Sequence, residues 1–184
     1  MAIANYTKTC AANTPGNSFL AFTEVDNITS FTTTSGEISA VTVASTKTFH
    51  EFKSEIDTVK ATMEGSGSTS YFQNNKIEAL FGTLSTGLIT AKQSLVDAVA
   101  CGALAITLDN NGIAWLWGYS AKHLFNRPLN KITANFDSGA KPSDEGAGAY
   151  TITIEGETSV DAIPFDAANS ALIAAGTATY ITFN

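Results

Sequence analysis

Apolar and polar residues alternate along much of this chain, which is the pattern of half-buried β-strands. In the run YTITIEG, Tyr150, Ile152 and Ile154 would share one face of a strand, and the residues between them would take the other. Further alternating or short apolar runs are FLAFTEV, EISAVTVAS, KTFHEF, KIEALF, ALAITL, AWLWGY and TATYITF. The pattern predicts a mainly β, α+β fold, built as a β-barrel or β-sandwich of about seven to nine strands.

One long segment has helical spacing instead. Its repeating positions, at intervals of three and four residues, are Leu88, Lys92, Leu95, Val96 and Val99. Gly102 suits the position that follows a helix C-terminus, so we predict a helix over about residues 87–101 that flanks the sheet with its single apolar stripe. A second, short helix is expected to begin at Pro164, a residue type that fits a first helical turn.

Both tryptophans fall in a predicted β-hairpin. The runs ALAITL and IAWLWGY flank Asn111 and Gly112, a pair that favours a two-residue turn. Along the second strand Trp115 and Trp117 would share one face and pack against the helix, with Leu116 on the other face. We expect the core to include Leu95, Val99, Trp115, Trp117, Ile152 and Ile154.

The length of 184 residues suits one substantial core, so we expect a single domain over residues 19–184. Residues 1–18 are interpreted as an N-terminal arm, and residues 120–148 as a long loop of that domain. No run approaches the ~18–20 apolar residues of a membrane span, and the start MAIANYTKTC has no apolar h-region. We therefore expect a soluble product of the cytoplasm with no membrane partner.

The charge is distributed unevenly. The formal net charge is −7, yet the first 140 residues carry nine bases and eleven acids, while six acids and only Lys141 lie beyond them. The stretch 110–136 has no acid and contains Lys122, Arg127 and Lys131. An acidic chain is not suited to wrapping nucleic acid, because that binding relies on Lys and Arg at phosphates. The balance does suit a surface past which nucleic acid must slide.

No catalytic, cofactor or metal motif stands out in the sequence. His50 and His123 lack the spacing of metal ligands and are interpreted as structural or surface residues. Cys101 is expected to be a small buried hydrophobe, and Cys10 an exposed thiol without an activating neighbour. The DNNG run resembles the start of a calcium loop, but the apolar residues after it cannot supply the later ligands. We expect no enzyme activity, no cofactor and no metal.

The order of these pieces over about residues 70–160 resembles a known family. A strand enters a helix, a D-x-N-G turn leads into WLWGY, and a glycine-rich acidic loop precedes GAYTITIEG, which has the form G-x-Y-x-I-x-I-x-G. This succession is similar to tail-tube structural proteins of phages and prophages of Bacteroidetes. The resemblance implies a virion protein, made in the host cytoplasm, whose hexameric rings stack into a hollow tail. Its partners would be itself, other tail proteins and DNA as cargo that is not specifically bound.

In such a tube, ring closure would pair the edge strands, and oppositely charged segments would set the register of the subunits. We hypothesise that the basic segment 122–131 meets the acidic region 144–166 of a neighbouring subunit. The basic residues of this interface would be Lys122, Arg127 and Lys131, and the acidic ones Asp144, Glu145, Glu155 and Glu157.

Two other interpretations remain open. The chain could be a different virion part, such as a ring, tail-terminator or decoration protein, or the inner tube of an injection system. From another class, it could be a carbohydrate-binding or adhesion module in which Trp115, Trp117 and Tyr119 stack on sugar rings.

Overall fold

The computed structural model describes residues 16–54, 58–67, 72–81, 85–120, 125–126, 128–137, 149–158 and 161–183. These residues form fourteen strands and two α-helices, which confirms the mainly β, α+β class; nine of the strands have four residues or more. The strands are β1 Asn17–Glu24, β2 Ile28–Thr34, β3 Glu37–Val43, β4 Phe49–Glu51, β5 Lys60–Ser66, β6 Phe72–Phe81, β7 Ala103–Asp109, β8 Ala114–Trp117, β9 Tyr119–Ser120, β10 Phe125–Asn126, β11 Lys131–Asp137, β12 Ala149–Thr158, β13 Ile163–Pro164 and β14 Ile181–Thr182. The helices are α1 Thr86–Cys101 and α2 Ala167–Ala174.

A six-stranded sheet lies at the centre of the fold, in the order β13-β8-β7-β1-β4-β14. Its neighbouring strands are antiparallel except for β14, which runs parallel to β4. β7, with the continuous apolar sequence ALAITL, is buried at every position from Ala103 to Leu108. Such a run is typical of a strand that is covered on both faces, and the central sheet indeed has a core on each side.

The first core lies between the central sheet, α1 and a four-stranded antiparallel sheet of order β11-β12-β6-β5. Ser85 caps α1, because its side-chain oxygen accepts a hydrogen bond from the Leu88 N–H at 3.1 Å. Gly102 follows the helix at φ +98°, a conformation suited to glycine. Of the core residues expected from the sequence, this core contains Leu95, Val99, Trp117, Ile152 and Ile154, and Trp115 packs half-buried against it.

The second core lies on the opposite face of the central sheet, beneath the β2–β3 hairpin and α2. Ile38 from the hairpin, Leu116 from β8 and Ile173 from α2 are each at most 2% exposed. Leu116 therefore points away from both tryptophans, as the alternation along β8 predicts.

α2 begins three residues later than the start expected at Pro164. Asp166 is its N-cap, and its carboxylate accepts a hydrogen bond from the Asn169 N–H at 2.8 Å. Pro164 instead lies in β13, opposite Trp115. β13 is an edge of the central sheet, where a residue without an N–H is tolerated.

Of the two architectures expected, the described residues form the layered one. The four-stranded sheet faces the central sheet across the first core, as the sheets of a sandwich do. Neither sheet closes on itself in the part of the chain that the structure describes.

Two segments differ from the expected ones. β1 begins at Asn17, within the arm predicted over 1–18, and residues 1–15 lie outside the described part of the chain. The loop predicted over 120–148 is interrupted by β11, which pairs residue by residue with β12. Its sequence KITANFD alternates over only seven residues, and two of its polar positions are threonine and asparagine, which are also common in loops.

The hairpin between β7 and β8 has a three-residue turn, so the prediction of a two-residue turn is wrong. The Asp109 N–H donates to the Ile113 carbonyl at 2.9 Å, and the Gly112 N–H donates to the Asp109 carbonyl at 3.0 Å. Gly112 has φ +82°, but Asn111 does not have the positive φ that the two-residue type I′ turn requires at both central residues. The geometry is that of a type I turn followed by a glycine bulge.

Candidate assembly surface

The four-stranded sheet buries one face in the first core and presents the other to solvent. Along β6, buried positions alternate with half-exposed or exposed ones, and the strand register sets equivalent positions side by side across the sheet. We call the solvent-facing side the polar face. It consists of Lys131, Thr133 and Asn135 on β11, Thr151, Thr153, Glu155 and Glu157 on β12, Phe72, Asn74, Lys76, Glu78 and Leu80 on β6, and Lys60, Thr62, Glu64 and Ser66 on β5.

Every lysine of the polar face stands beside a glutamate. Lys131 is opposite Glu155 and forms an ion pair with it. Lys76, on the strand β6 that flanks β12 on its other side, is also directly opposite Glu155. Its ammonium nitrogen lies 3.3 Å from a carboxylate oxygen of Glu78. Lys60 stands opposite Glu78. The lysine charges are therefore compensated within the sheet itself.

Glu155 is held in its charged form. The hydrogen bond from Lys131 keeps the pKa of its carboxyl below the usual value. Partial burial opposes this shift, while a hydrogen bond from Asn74 and the positive charges of Lys131 and Lys76 reinforce it. Because the face carries three lysines and four glutamates, it is close to neutral with a slight negative excess.

Both edges of this sheet are open among the described residues. β11 pairs with β12 alone and β5 with β6 alone. Each edge strand has seven residues. All three pairings in the sheet are antiparallel, so the two edge strands run in opposite directions. Long edges of this kind are templates for pairing with another strand.

Large apolar side chains lie exposed on both edges. Phe136 on β11 is 43% exposed and Met63 on β5 is 41% exposed. The Phe136 ring stacks on Tyr150 with a centroid distance of 6.2 Å, which leaves its outer side open. Exposed apolar groups beside unpaired strands mark places where a protein surface is suited to a partner.

Four residues expected at a subunit interface lie outside the described residues, namely Lys122, Arg127, Asp144 and Glu145. Of the others, Glu157 is exposed on the polar face, and Lys131 and Glu155 pair with each other in one chain. Lys131 therefore has an acidic partner without a neighbouring subunit. The contact between segments 122–131 and 144–166 of different subunits stays a prediction.

The two tryptophans differ in exposure. Trp117 is 4% exposed, and its indole N–H donates to the Thr107 hydroxyl at 2.9 Å. Trp115 is half-buried, and its indole N–H donates to a carboxylate oxygen of Asp109 at 3.1 Å. Stacking on a sugar needs an open ring face, so the burial of Trp117 removes one of the three rings that the carbohydrate-binding interpretation needs.

Asp109 organises the hairpin turn. Its second carboxylate oxygen accepts hydrogen bonds from the Asn111 and Ile113 N–H groups, both at 2.9 Å. With the Trp115 indole, this gives three donors to one carboxylate. These contacts show that the aspartate of the calcium-like DNNG run stabilises the turn, which explains its presence there.

The remaining reactive groups are dispersed. His50 is exposed and lines a cleft of about 560 Å³ between α1 and β4. Cys101 is exposed, so the prediction of a buried residue is wrong; it lies two residues after the buried Val99, about 200° around the helix. Cys10 and His123 lie outside the described part. Among the described residues, no three or more His, Cys, Asp or Glu side chains form a group suited to a metal ion.

Neither of the two described helices is long and apolar enough to cross a membrane.

Sequence reasoning missed β5 as part of this surface. The run KATMEGS does alternate, with Lys60, Thr62 and Glu64 on the polar face and Ala61 and Met63 on the other. The signal was weak because its inward residues are small or flexible and glycine follows them. Comparison of the chain with protein-family models, with curated proteins and with solved structures gave no match.

Proposed function

We propose that this chain is a self-assembling structural protein of a virion. In this proposal, copies of the chain associate side by side into rings, and the rings stack into a tail tube through which DNA passes. The order of motifs along the sequence suggests the tail-tube family, and the open sheet supports self-assembly independently of that resemblance.

One observation carries the proposal: the two edges of the four-stranded sheet are equal in length and opposite in direction. When a second copy lies beside the first, its β5 extends the sheet of the first copy as an antiparallel neighbour of β11. This contact uses different surfaces on the two copies, so it repeats head to tail. A head-to-tail contact closes into a ring when the rotation per subunit allows it.

The layering of the subunit determines which surface such a ring would place around its hole. The inward face of the four-stranded sheet is covered by the first core and the central sheet. If a hole is to remain, the bulk of each subunit must lie on the outside of the ring. The polar face then lines the channel.

The charges of the polar face suit a channel for DNA. Binding to phosphates relies on Lys and Arg that displace counterions. On this face Lys131 and Lys76 are already paired with Glu155 and Glu78. A surface of compensated charges with a slight negative excess would neither trap the DNA nor repel it strongly.

Negative-stain electron microscopy of the purified protein tests the proposal. We expect hollow filaments; isolated rings would favour another virion ring protein. Phe136→Glu, which places a charge beside the β11 edge, should abolish filaments. Leu172→Glu is the matched control, since Leu172 is 45% exposed on α2, on the far side of the central sheet. A folded wild-type chain that stays monomeric at high concentration would refute the proposal.

A further inference from the structure

We propose that β11 of one subunit pairs with β5 of the next in a single register, in which Lys131 stands opposite Ser66 and Phe136 opposite Ala61. This inference rests on the proposed function and adds the alignment of the two edges. Four features of the described residues point to the same register: the limits of the free edges, their side-chain faces, the sizes of the facing residues and the stagger of the sheet.

Each free edge has a sharp start. Just before β11, Leu129 is already bridged to Ala103, with N–H to carbonyl hydrogen bonds of 2.9 Å in both directions. Just before β5, Val59 is bridged to Asn17 at the start of β1. Neither Leu129 nor Val59 can therefore join an intersubunit ladder, so the free edges begin at Lys131 and Lys60 and, among the described residues, comprise the seven residues of each strand.

The side-chain faces allow only registers that differ by two residues. A slip of one residue would place the inward side chains of one edge on the polar face of the other. Within one subunit, Lys131 is directly opposite Glu155, Glu155 is opposite Lys76, and Lys76 is opposite Thr62. Lys131 on one edge and Thr62 on the other therefore lie at the same position along the strand direction. The alternatives therefore set Lys131 of one subunit opposite residue 62, 64 or 66 of the next.

These registers differ in how much of the edges they use. With Lys131 opposite Thr62, the available residues overlap over three positions, and with Lys131 opposite Glu64 over five. With Lys131 opposite Ser66, all seven residues of β11 face all seven of β5. Only this register leaves no unpaired residue on either edge strand, which is the arrangement that protects exposed backbone groups.

The sizes of the inward residues also select the full overlap. In it, each larger side chain meets a smaller residue across the interface. The facing pairs are Phe136 with Ala61, Met63 with Ala134, and Ile132 with Gly65. The exposed Phe136 and Met63 would thereby become covered, since directly opposed side chains lie about 4.5–5.5 Å apart at Cβ. Five-residue overlap would instead set Phe136 opposite Val59, which is bridged to Asn17.

The stagger of this register suits a closed sheet. In the straight-across alignment Lys131 would face Thr62, whereas in the proposed register it faces Ser66, four residues further along β5. Each subunit contributes four strands, so the strand register is offset by one residue per strand around the ring. This ratio is independent of the number of subunits. A closed sheet of eight strands with a stagger of eight residues has the same ratio, and its strands tilt by about 36°. Closed sheets in general tilt their strands by about 35–45°, whereas the straight-across alignment would give none.

On the polar face the register places Glu64 opposite Thr133 and diagonal to Lys131. Diagonal neighbours on one face lie within reach of a long side chain. Lys131 would then contact carboxylates in its own chain and in the next subunit, Glu155 and Glu64.

Disulfide trapping in assembled protein tests the register. In a Cys10→Ser, Cys101→Ser background, Thr133→Cys is combined in turn with Glu64→Cys, Thr62→Cys or Lys60→Cys. The first pair is directly opposed in the proposed register, the second in the five-residue overlap and the third in the straight-across alignment. Within one subunit these positions lie on opposite edges, about 14 Å apart at a strand spacing of about 4.8 Å, too far for a disulfide.

We expect the Glu64→Cys pair to form a covalent ladder of subunits at least tenfold faster than the Lys60→Cys pair, seen on a non-reducing gel. Faster linking at position 62 or 60 would overturn the register. Filaments without a ladder in any of the three variants would overturn edge pairing while leaving self-assembly intact. Monomers in the wild type and all variants would refute both proposals.

Discussion

Lys131 and Glu155 stand directly opposite each other on neighbouring strands and form an ion pair at the open edge of the four-stranded sheet. The lysine side chain is 68% exposed, so the pair contributes little to folding, about 0–1 kcal/mol as for other surface pairs. Its importance lies in the charge it neutralises on the polar face.

In the proposed assembly, Glu155→Gln should make the filaments retain DNA. The change removes the carboxylate that forms the ion pair with Lys131, whereas Lys76 keeps Glu78, so Lys131 can then displace a counterion from phosphate. We expect sedimenting filaments of the variant to carry a short DNA duplex at about 50 mM salt and to release it by about 200 mM. Glu37→Gln on β3 is the control, because it changes the net charge equally but lies outside this sheet. Equal retention by the two variants would contradict the role of Glu155.

Lys131→Met should raise the pKa of the Glu155 carboxyl towards its ordinary value. The hydrogen bond and charge of Lys131 lower that pKa in the folded chain, so ionised Glu155 stabilises the fold above the ordinary glutamate pKa of about 4.3. This contribution is lost as the pH falls through the folded-state pKa. Carboxyl NMR titration in the Phe136→Glu background, chosen to prevent assembly, measures the shift. Lys53→Met, which removes the partner of Glu51 instead, should leave the Glu155 titration unchanged.

The same variant makes a pH-dependent prediction for stability. The small difference in unfolding free energy between wild type and Lys131→Met should be present at pH 7 and should shrink as the pH falls through the lowered pKa of the Glu155 carboxyl. Urea unfolding at a series of acidic pH values measures it. A difference that grows as the pH falls would have the wrong sign for a lowered carboxyl pKa.

Asp109→Ala should destabilise the fold by about 2–4 kcal/mol, because it leaves three hydrogen-bond donors of the turn without their acceptor. Asp109→Asn should cost less, since an amide oxygen can still accept from the two backbone N–H groups. Urea unfolding followed by tryptophan fluorescence measures both. Asp97→Ala on the exposed face of α1 is the control, with an expected change below about 0.5 kcal/mol. A neutral Asp109→Ala would show that the carboxylate does not support the turn.

Much of the fold could be predicted from the sequence because strong local patterns agree with the final packing. In α1 the helical spacing allows only one side of the helix, the side with Leu95 and Val99, to face the core. In β12 the strict alternation likewise allows only the face with Ile152 and Ile154 to be buried. The shared face of the tryptophans follows from the same period of two. These elements pack as their patterns indicate.

The open edges of the polar face could not be predicted in the same way. Whether β5 and β11 lie at an edge depends on which strands pair, and that is decided by contacts between residues distant in sequence. The partner of Lys131 illustrates this: its pairing with Glu155 needs the register of β11 on β12, which charge patterning along the chain does not contain. Turn geometry at Gly112 likewise depended on hydrogen bonds of Asp109 that the Asn-Gly pair alone does not specify.

Gly156→Ala should destabilise the chain by about 1–3 kcal/mol, as overpacking of a tightly packed site does. A Cβ at this position of β12 would lie 2.9 Å from both the Leu129 Cα and the Pro128 carbonyl oxygen, and backbone atoms cannot move aside as a flexible side chain can. The close approach holds Leu129 where it bridges Ala103 and so sets the point at which β11 becomes free to pair.

Gly87→Ala is the matched control of opposite sign. In α1 the nearest atom to an added Cβ is the Ser85 hydroxyl oxygen at 3.8 Å, so alanine should fit and stabilise by about 0.5–1 kcal/mol through its higher helix propensity. Urea unfolding of both variants measures the pair, and electron microscopy shows whether filaments persist. If the Gly156→Ala chain were as stable as wild type, the segment at Leu129 would be free to move. The β11 edge would then have no sharp start, and the seven-residue register that depends on it would be contradicted.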